Sequence, residues 1–413
     1  MTEPTLLLDV SRTVARARLP VPTGIDRVER AYIHWALQRK ALFLAAIDSK
    51  QHVLGPDTVR ELINWLDDDA PAPRRDLMAY MRPSRPPRLK QAQSLIRRGA
   101  LSVHADALQL ARAVTDAAES RAVHINVGHD NCTSALMKAF GTAGIKRLFL
   151  LHDTIPLDHP EFARSETPQK FRAMLDAAAM ADGMLANSSA TAGRATQHLP
   201  SDVPPLWVAP LGIELSSEPS AIIQDEPSTF LCVGTIEPRK NHALLLKVWQ
   251  RIHQERAADD IPHLRIIGRR GWRNEKVFQS LDTLPFMGQT VFESTPDDEE
   301  LASLIASAQA VLFPSLAEGF GLPLGEALAA GTPVLASDLP ALREIGYDVP
   351  EYLSPNDPEA WRSAVLDYAQ NFSVRRDAQI ERMKTWQRPT WDDHFLVVEN
   401  ALETILVQTC SHR

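Results

Sequence analysis

The stretch EGFGLPLGEALAAG, from Glu318 to Gly331, combines an apolar, helix-prone composition with two carboxylates and several glycines. Glycine destabilises a helix interior and a charge is costly in a core, so this composition requires an explanation. Pro323 suits the first position of a helix, where its missing N–H has no cost, and Gly331 suits the end of one. The segment therefore predicts a loop that carries Glu318, followed by a helix that carries Glu326 in its first turns.

The glycines of this loop favour a ligand site. Gly319 and Gly321 allow the backbone to pass close to a ligand and to direct N–H groups towards it. A negative charge near the start of a helix is stabilising, which by itself could account for Glu326. It accounts for neither Glu318 nor the glycines, so we interpret the segment as part of a binding site.

Short apolar runs alternate with helical patterns on both sides of this stretch, which predicts parallel, doubly wound α/β sheets. The strands predicted in the first half are residues 5–10, 41–47, 122–128, 147–153 and 183–188. Those predicted in the second half are residues 229–235, 263–268, 290–294, 310–315 and 333–337. The proline-rich stretch between them, residues 199–227, indicates a domain boundary.

The chain has 413 residues, a length that suits two domains rather than one. We predict a first domain over residues 1–205 and a second over residues 206–390. The remaining segment, 391–413, begins with a helical pattern whose apolar side chains are Phe395, Val398, Leu402 and Leu406.

Composition and charge exclude several functional classes. The net charge of −8 argues against nonspecific nucleic-acid binding. The three cysteines, at positions 132, 232 and 410, are too few and too scattered for a disulfide framework or a zinc site, and they favour a reducing compartment. No apolar run resembles a signal peptide or is long enough to span a bilayer, so a cytoplasmic location is expected.

Two adjacent cations, Arg239 and Lys240, follow the predicted strand 229–235 and precede a helix. Ligands of open α/β sheets bind beyond the carboxyl ends of the strands. Two cations beside a helix N-terminus suit a diphosphate, because the helix dipole and the side chains act together. Alternatively, Asn241 simply caps the helix and the cations are solvated.

Two further charged segments allow weaker interpretations. Residues 82–98 contain six basic and no acidic residues, which fits either a solvated loop or a patch for anionic lipid headgroups or a lipid-diphosphate substrate. The acidic triplet at residues 67–69 superficially resembles a metal-binding pattern. It follows no buried strand and lies beside prolines, so we interpret it as a solvated turn and expect no metal.

The segments EGFGLPLGEALAAGTPVLAS and GTIEPRKN together resemble the retaining glycosyltransferases of family four. That family has the GT-B fold, two facing Rossmann-like domains, and its signature is two glutamates separated by seven residues. Glu318 and Glu326 match this signature. The resemblance extends to residues 150–161 and 181–191, and it implies that the C-terminal helix crosses back onto the first domain.

The resemblance implies a role for each matching residue around a nucleotide-sugar donor. Glu326 would bind the ribose hydroxyls, Glu318 the transferred hexose, and Lys240 the diphosphate. Many family members carry an arginine where this chain has Thr235, so Arg239 is expected to assist Lys240. The other residues expected to bind the nucleotide sugar are Gly24, Gly234, Thr235, Phe320, Gly321 and Leu322.

The first domain is expected to supply the acceptor side of the site. Related enzymes place a histidine beside the transferred sugar, which implies that His152 joins Lys240, Arg239 and Glu318 as a catalytic residue. The acceptor-side candidates are Asp26, Arg27, His129 and Asp153. The alternative is that Asp26 and Asp153 only cap helices and that His152 is a bystander.

The function implied by this resemblance is retaining, metal-independent transfer of a hexose from a nucleotide-diphosphate sugar, without a cofactor. A glycan or polyprenyl-diphosphate-linked acceptor in exopolysaccharide or O-antigen synthesis, at the inner face of the cell membrane, is the expected partner. GDP-mannose is favoured because TIEPRKN and HDTIP resemble bacterial mannosyltransferases. The alternatives are a UDP-sugar donor with a soluble acceptor, or a non-catalytic nucleotide-sugar-binding protein. A nicotinamide dehydrogenase is excluded, because no G-X-G-X-X-G follows a predicted strand.

Overall fold

The computed structural model describes residues 3–19, 22–67, 70–118, 121–215 and 228–407, and these form two α/β domains. The strands of the first sheet are β1 (Thr5–Asp9), β2 (Ala41–Ile47), β3 (Lys50–Leu54), β4 (Ala100–His104), β5 (Ala122–Asn126), β6 (Lys146–Leu151), β7 (Gly183–Ala186) and β8 (Leu206–Val208). Those of the second sheet are β9 (Thr229–Val233), β10 (His263–Ile267), β11 (Val291–Ser294), β12 (Ala310–Phe313), β13 (Val334–Ser337) and β14 (Glu351–Leu353). Each strand predicted from the sequence is present, with ends within two residues of the prediction.

Helices cover both faces of the sheets. Those of the first domain are α1 (Ser11–Arg16), α2 (Gly24–Leu37), α3 (Pro56–Leu66), α4 (Leu77–Tyr80), α5 (Pro87–Gly99), α6 (Ala107–Ala118), α7 (Ser134–Thr142), α8 (Ile155–Asp158), α9 (Thr167–Ala178) and α10 (Ser189–Ala195). Those of the second part are α11 (His242–Glu255), α12 (Glu275–Thr283), α13 (Asp298–Ser307), α14 (Leu322–Ala329), α15 (Pro340–Gly346), α16 (Pro358–Tyr368), α17 (Val374–Met383) and α18 (Trp391–Val407). Short 3₁₀ helices occupy residues 160–162, 238–240 and 258–260.

The first sheet has the order β4-β3-β2-β1-β5-β6-β7-β8. The neighbouring strands from β2 through β1, β5, β6 and β7 to β8 are parallel, as predicted. Strand β3 is antiparallel to both of its neighbours, β2 and β4, so the sheet is mixed. Only Asp48 and Ser49 connect β2 to β3, and both have positive φ angles. A turn of two residues can join only antiparallel strands, which explains the difference from the prediction.

The second sheet is parallel throughout, in the order β11-β10-β9-β12-β13-β14. The chain reverses its winding direction between β9 and β12, and open sheets of this kind bind ligands beyond the strand ends at such a point. Because helices cover both faces, the central strands β1 and β12 are buried along their whole length, and β12 is entirely apolar. The winding therefore places the segments that follow β9 and β12 side by side.

The C-terminal helix α18 packs on the first domain, as predicted. His394 Nε2 lies 2.8 Å from the hydroxyl of Tyr32 on α2, and Phe395 stacks on Trp35 with 4.9 Å between ring centroids. Val398 and Leu402 are buried, while Phe395 and Leu406 are partly buried against the same core. Residues 408–413, and with them Cys410, lie outside the described residues.

The first sheet extends beyond the first predicted domain boundary. Strand β8, residues 206–208, pairs with β7 in the first sheet, so this sheet extends past the boundary placed at residue 205. Most of the proline-rich stretch, residues 216–227, lies outside the described residues. The division at residues 205 and 390 stays a prediction.

Candidate functional site

The segments after β9 and β12 form the core of the candidate site. A Cβ on Gly234, which follows β9, would lie 3.4 Å from Cε of Lys240, and one on Gly271 would lie 2.8 Å from Cγ2 of Thr235. Asn241 has φ of 55° and donates its side-chain amide to the carbonyls of Pro314, at 3.1 Å, and Pro355, at 3.0 Å. Its side chain thus joins neighbouring loops instead of capping α11, and the simple capping interpretation is wrong.

Glu318 forms the centre of an ion-pair cluster. Its Oε1 lies 2.6 Å from Lys240 Nζ and accepts a hydrogen bond from the Ser315 hydroxyl at 2.7 Å, while its Oε2 lies 2.9 Å from Arg239 Nη1. Lys240 is buried, and both cations are paired with Glu318, which contradicts the alternative that they are simply solvated. The two cations and the first glutamate of the predicted signature therefore meet at one point.

The charge state of this cluster follows from its contacts. Burial alone would raise the pKa of Glu318, but Arg239 and Lys240 outweigh burial and lower it to about 2. Burial alone would lower the pKa of Arg239, but Glu318 and the buried Glu237, 2.6 Å from Arg239 Nε, raise it. Glu318 and Arg239 are therefore both charged at neutral pH.

Asp153 brings the first domain into the same electrostatic environment. Its carboxylate accepts a hydrogen bond from the backbone N–H of Ile155, the first residue of α8, at 3.0 Å, although the capping position of this helix is Thr154. Burial raises its pKa; Arg239 opposes this increase, whereas Glu318 contributes to it. Asp153, which follows β6, therefore interacts electrostatically with Arg239 and Glu318 of the second domain.

Gly319 brings the backbones of the two domains into close contact. A Cβ at this position would lie 2.2 Å from the carbonyl oxygen of His152, so only glycine fits. The Gly319 carbonyl accepts hydrogen bonds from Ser188 Oγ at 2.7 Å and from Thr191 Oγ1 at 3.1 Å. Ser188 also caps α10, so its side chain serves both this helix and the contact between the domains.

The loop after Gly319 turns into α14. Gly321 precedes the helix with φ of 110°, a conformation that L side chains rarely adopt. Helix α14 begins at Leu322, one residue before the predicted start. Among the described residues, the N–H groups of Phe320, Gly321 and Leu322 have no protein acceptor, so they can bind a ligand.

Glu326 lies in the second turn of α14 and pairs with Arg27 of α2 across the domains. A Cβ on Gly24 would lie 3.2 Å from Cδ1 of Leu322, so the starts of α2 and α14 are in contact. The structure thus brings Arg27, an acceptor-side candidate, together with Gly24, Leu322 and Glu326, which are expected to bind the nucleotide sugar.

His152 and His129 lie together at the first-domain side, with ring centroids 4.9 Å apart. His152 Nε2 lies 2.7 Å from the Val127 carbonyl, and burial lowers the pKa of His152 to about 4. His129 Nε2 lies 3.0 Å from the Leu150 carbonyl, and burial, aided by His152, lowers its pKa well below the usual value. Both rings are therefore neutral at pH 7, and in each the nitrogen opposite the N–H is a hydrogen-bond acceptor.

The carboxylate of Asp26 has all of its recorded partners within the first domain. It accepts hydrogen bonds from Thr23 N at 2.7 Å in a capping box, and its carboxylate lies 2.6 Å from Arg12 Nε and 3.3 Å from Arg16 Nε. Burial alone would raise its pKa, but Arg12 and Thr23 outweigh burial and lower it. These contacts favour the capping interpretation of Asp26 over an acceptor-binding role.

Other residues of the interface were not predicted. Glu344 accepts hydrogen bonds from the N–H groups of Ser189 and Ala190 at the start of α10, both at 2.6 Å. Trp272 Nε1 donates to the Phe162 carbonyl at 2.9 Å, and Arg273 Nη1 to the carbonyl of the next residue at 2.6 Å. A single glutamate or tryptophan in a helix or loop has no sequence pattern that indicates such contacts.

The described residues contain no group of three or more histidine, cysteine, aspartate or glutamate side chains that could hold a metal ion. Of the acidic triplet, Asp67 pairs with Arg30, while residues 68 and 69 lie outside the described part of the chain. No helix in the described ranges is both long and apolar enough to span a bilayer.

Comparison with known proteins gives matches in sequence. Residues 227–371 match the family described as "Glycosyl transferases group 1". The chain is 29% identical over 271 residues to the "Serotype-specific mannosyltransferase WbdA" of Escherichia coli, covering 60% of this chain and 33% of WbdA. It is 32% identical over 163 residues to the "O-antigen chain mannosyltransferase B" of Escherichia coli, covering 40% of this chain and 42% of the relative. The chain thus matches only about a third of the length of WbdA.

Solved structures share the fold over nearly the whole chain. HepE of Anabaena, in complex with UDP-glucose, has a TM-score of 0.64 at 14% identity and covers 97% of this chain and 100% of its own. Sucrose-phosphate synthase of Thermosynechococcus elongatus has a TM-score of 0.60 at 15% identity, and the match covers 98% of this chain and 100% of the synthase chain. These likenesses confirm the architecture of two Rossmann-like domains.

Proposed function

We propose that the chain transfers a hexose from a nucleotide-diphosphate sugar to a glycan acceptor with retention of configuration. The proposal starts from the match of residues 227–371 to the glycosyl transferases group 1 family. The observation that carries this proposal is the cluster of Lys240, Arg239 and Glu318 at the winding reversal of the second sheet. It faces the first domain at His152 and Asp153.

The diphosphate would bind at Lys240 and Arg239. Both cations are held in place by carboxylates, so they need little reorganisation to meet an incoming anion. The free N–H groups at the start of α14 add partial positive charge to the same region. The leaving diphosphate gains negative charge during transfer, and these fixed groups would stabilise it as that charge develops.

The two glutamates would bind hydroxyl groups. Glu326 would accept hydrogen bonds from the ribose after exchange with Arg27, and Glu318 would accept them from the hexose. His152 would accept a hydrogen bond from a hexose hydroxyl, because its Nε2–H is directed to the Val127 carbonyl and its ring is neutral.

Retention would follow from departure and attack on the same face of the sugar. Glu318 is engaged by Lys240, Arg239 and Ser315, so it is a poor nucleophile for a double displacement. We propose that the bond between the sugar carbon and the diphosphate oxygen breaks first, leaving an ion pair. The acceptor oxygen then bonds to the carbon from that side, and its proton passes to the leaving phosphate oxygen.

Mannose is the favoured hexose and GDP-mannose the favoured nucleotide sugar. The support is that the two relatives described above are named mannosyltransferases, one of them acting on the O-antigen chain. For the acceptor we propose a glycan, free or linked to a polyprenyl diphosphate, in bacterial exopolysaccharide or O-antigen synthesis. A UDP-sugar is the second candidate donor, because the similar fold of HepE was solved with UDP-glucose.

A thermal-shift panel of GDP-mannose, GDP, UDP-glucose and UDP would test this assignment. A ligand at 100 times its dissociation constant stabilises a protein by about 2.7 kcal/mol, enough for a clear increase in Tm. We expect GDP-mannose to raise Tm most. A larger increase with UDP-glucose would replace the proposed donor, and no increase with any nucleotide would contradict the proposal.

A further inference from the structure

Helix α4 and the residue after it expose four large apolar side chains. The exposed fraction is 77% for Leu77, 39% for Met78, 69% for Tyr80 and 72% for Met81. We call these four residues the α4 patch. Clustered apolar side chains on a surface mark sites of interaction, whereas isolated ones need no explanation.

The α4 patch is held firmly against α5. Asp76 caps α4 by accepting a hydrogen bond from the Ala79 N–H at 2.9 Å, and it also accepts one from Ser94 Oγ at 3.0 Å. Arg97 Nε lies 2.6 Å from its carboxylate, and the buried Ala79 faces inward. Since the cap and the ion pair fix this turn, the apolar side chains cannot simply fold into the core.

The surroundings of the α4 patch are basic, although the whole chain has a net charge of −8. Residues 74–98 contain eight basic residues and a single acidic one, Asp76. Arg74 and Arg75, immediately before α4, are exposed. An exposed apolar cluster beside exposed cations fits the interface of an anionic bilayer better than a second copy of an acidic protein.

The basic segment 82–98 is not itself the exposed element. Its apolar residues Leu95 and Ile96 are buried in the core. Several of its cations are engaged within the protein: Arg82 and Arg85 with Asp48, and Arg97 with Asp76. The helix that the sequence suggested for lipid contact therefore serves as the support for the α4 patch.

The α4 patch ends near the edge of the sheet that carries the cleft. Asp48, the partner of Arg82 and Arg85, directly follows β2, and Arg88 donates to the Ala17 carbonyl just after α1. Since β1, β2, β5 and β6 are parallel, their carboxyl ends lie on one edge, the edge of His129 and His152. A surface bound at the α4 patch would lie beside the acceptor side.

We propose that the α4 patch docks the protein on an anionic lipid bilayer. Its apolar side chains enter the headgroup region, and the neighbouring arginines meet lipid phosphates. This inference does not rest on the proposed transfer reaction.

Co-sedimentation of the full chain with phosphatidylglycerol–phosphatidylcholine vesicles tests it. The test variant combines Leu77→Ser, Tyr80→Ser and Met81→Ser. The matched control combines Phe372→Ser and Val374→Ser, which remove side chains that are 90% and 84% exposed in the second domain. We expect the test variant to bind at least about tenfold more weakly and the control to bind like the unmodified chain.

A second variant, Arg74→Glu with Arg75→Glu, tests the electrostatic part. It should weaken binding to vesicles that contain phosphatidylglycerol, and raising the salt concentration should weaken binding of the unmodified chain. Equal binding of the unmodified chain and the triple variant to these vesicles would overturn the proposal. The proposal would also be overturned if the unmodified chain bound no vesicles but associated with itself, and the triple variant abolished that self-association. Transfer to a soluble acceptor, measured in parallel, separates this outcome from failure of the proposed function.

Discussion

Lys240 Nζ and Glu318 Oε1 lie 2.6 Å apart in the loops that follow β9 and β12, and the two side chains are only 10% and 7% exposed. Each charge offsets part of the desolvation of the other: burial lowers the pKa of Lys240 and Glu318 opposes this decrease. Removing one partner leaves the other without its ion pair. The same pair places the cation proposed to bind the diphosphate beside the carboxylate proposed to bind the hexose. Stability and activity are therefore linked at this pair.

Glu318→Gln tests that link. The substitution retains the side-chain shape but removes the charge that neutralises Lys240 and Arg239, so we expect a loss of about 3–5 kcal/mol in the free energy of unfolding. Urea denaturation measures this loss. Glu381→Gln is the control, because the pair of Glu381 with Lys384 is exposed and should contribute less than about 1 kcal/mol. Equal effects of the two substitutions would contradict the buried pair.

Glu326→Ala should weaken binding of the nucleotide sugar by about 10–100-fold, because it removes a charge-assisted hydrogen bond to the ribose. Titration calorimetry measures the dissociation constant. Arg27→Met is the matched control: both variants lose the ion pair between the domains, but only Glu326→Ala also loses the ribose contact. If the two variants weaken binding equally, Glu326 has no ribose role.

Gly319→Ala should lower turnover at least about tenfold, because its Cβ would lie 2.2 Å from the His152 carbonyl and would force the domains apart. Gly193→Ala is the control, since nothing lies within 4 Å of the added Cβ and its position is inside α10. That control should retain activity and gain about 0.5–1 kcal/mol of stability. Normal turnover by Gly319→Ala would show that this contact does not set the geometry of the cleft.

Acid should destabilise the protein through His152. Its folded-state pKa of about 4 lies below the usual value of 6.5, so the unfolded chain binds more protons between these pH values. The stabilisation is complete above pH 6.5 and is lost as the pH falls towards 4. Urea denaturation from pH 7 to pH 4.5 measures this decrease, which His152→Gln should make smaller. An unchanged pH dependence in that variant would contradict a buried, neutral His152.

The local secondary structure of the site could be predicted from the sequence. The glycines and proline around Glu318 predicted a loop and a helix, and α14 begins within one residue of the prediction. Apolar runs located the strands because buried parallel strands have no polar face. Such patterns depend on neighbours in sequence, which the sequence contains directly.

The contacts between distant segments could not be predicted in the same way. Nothing in the sequence indicates that Glu318 would pair with Lys240, or that Glu344 would bind the start of α10. The first contact arises only when β9 and β12 become neighbours in the second sheet, and the second only when the domains meet. The ion pairs of the basic segment 82–98 could not be predicted either. Its charges suggested an exposed surface, but Asp48 and Asp76 neutralise several of them.

The most direct test of the proposed function is transfer of labelled hexose from a nucleotide sugar by the purified chain and its Lys240→Ala variant. Circular dichroism would verify that the variant is folded, and Lys247→Ala, an exposed lysine of α11, is the control. We predict transfer by the unmodified chain and by the control, and a decrease of at least about 10–100-fold in Lys240→Ala. Full activity of a folded Lys240→Ala enzyme would contradict the assignment of this cleft to the diphosphate.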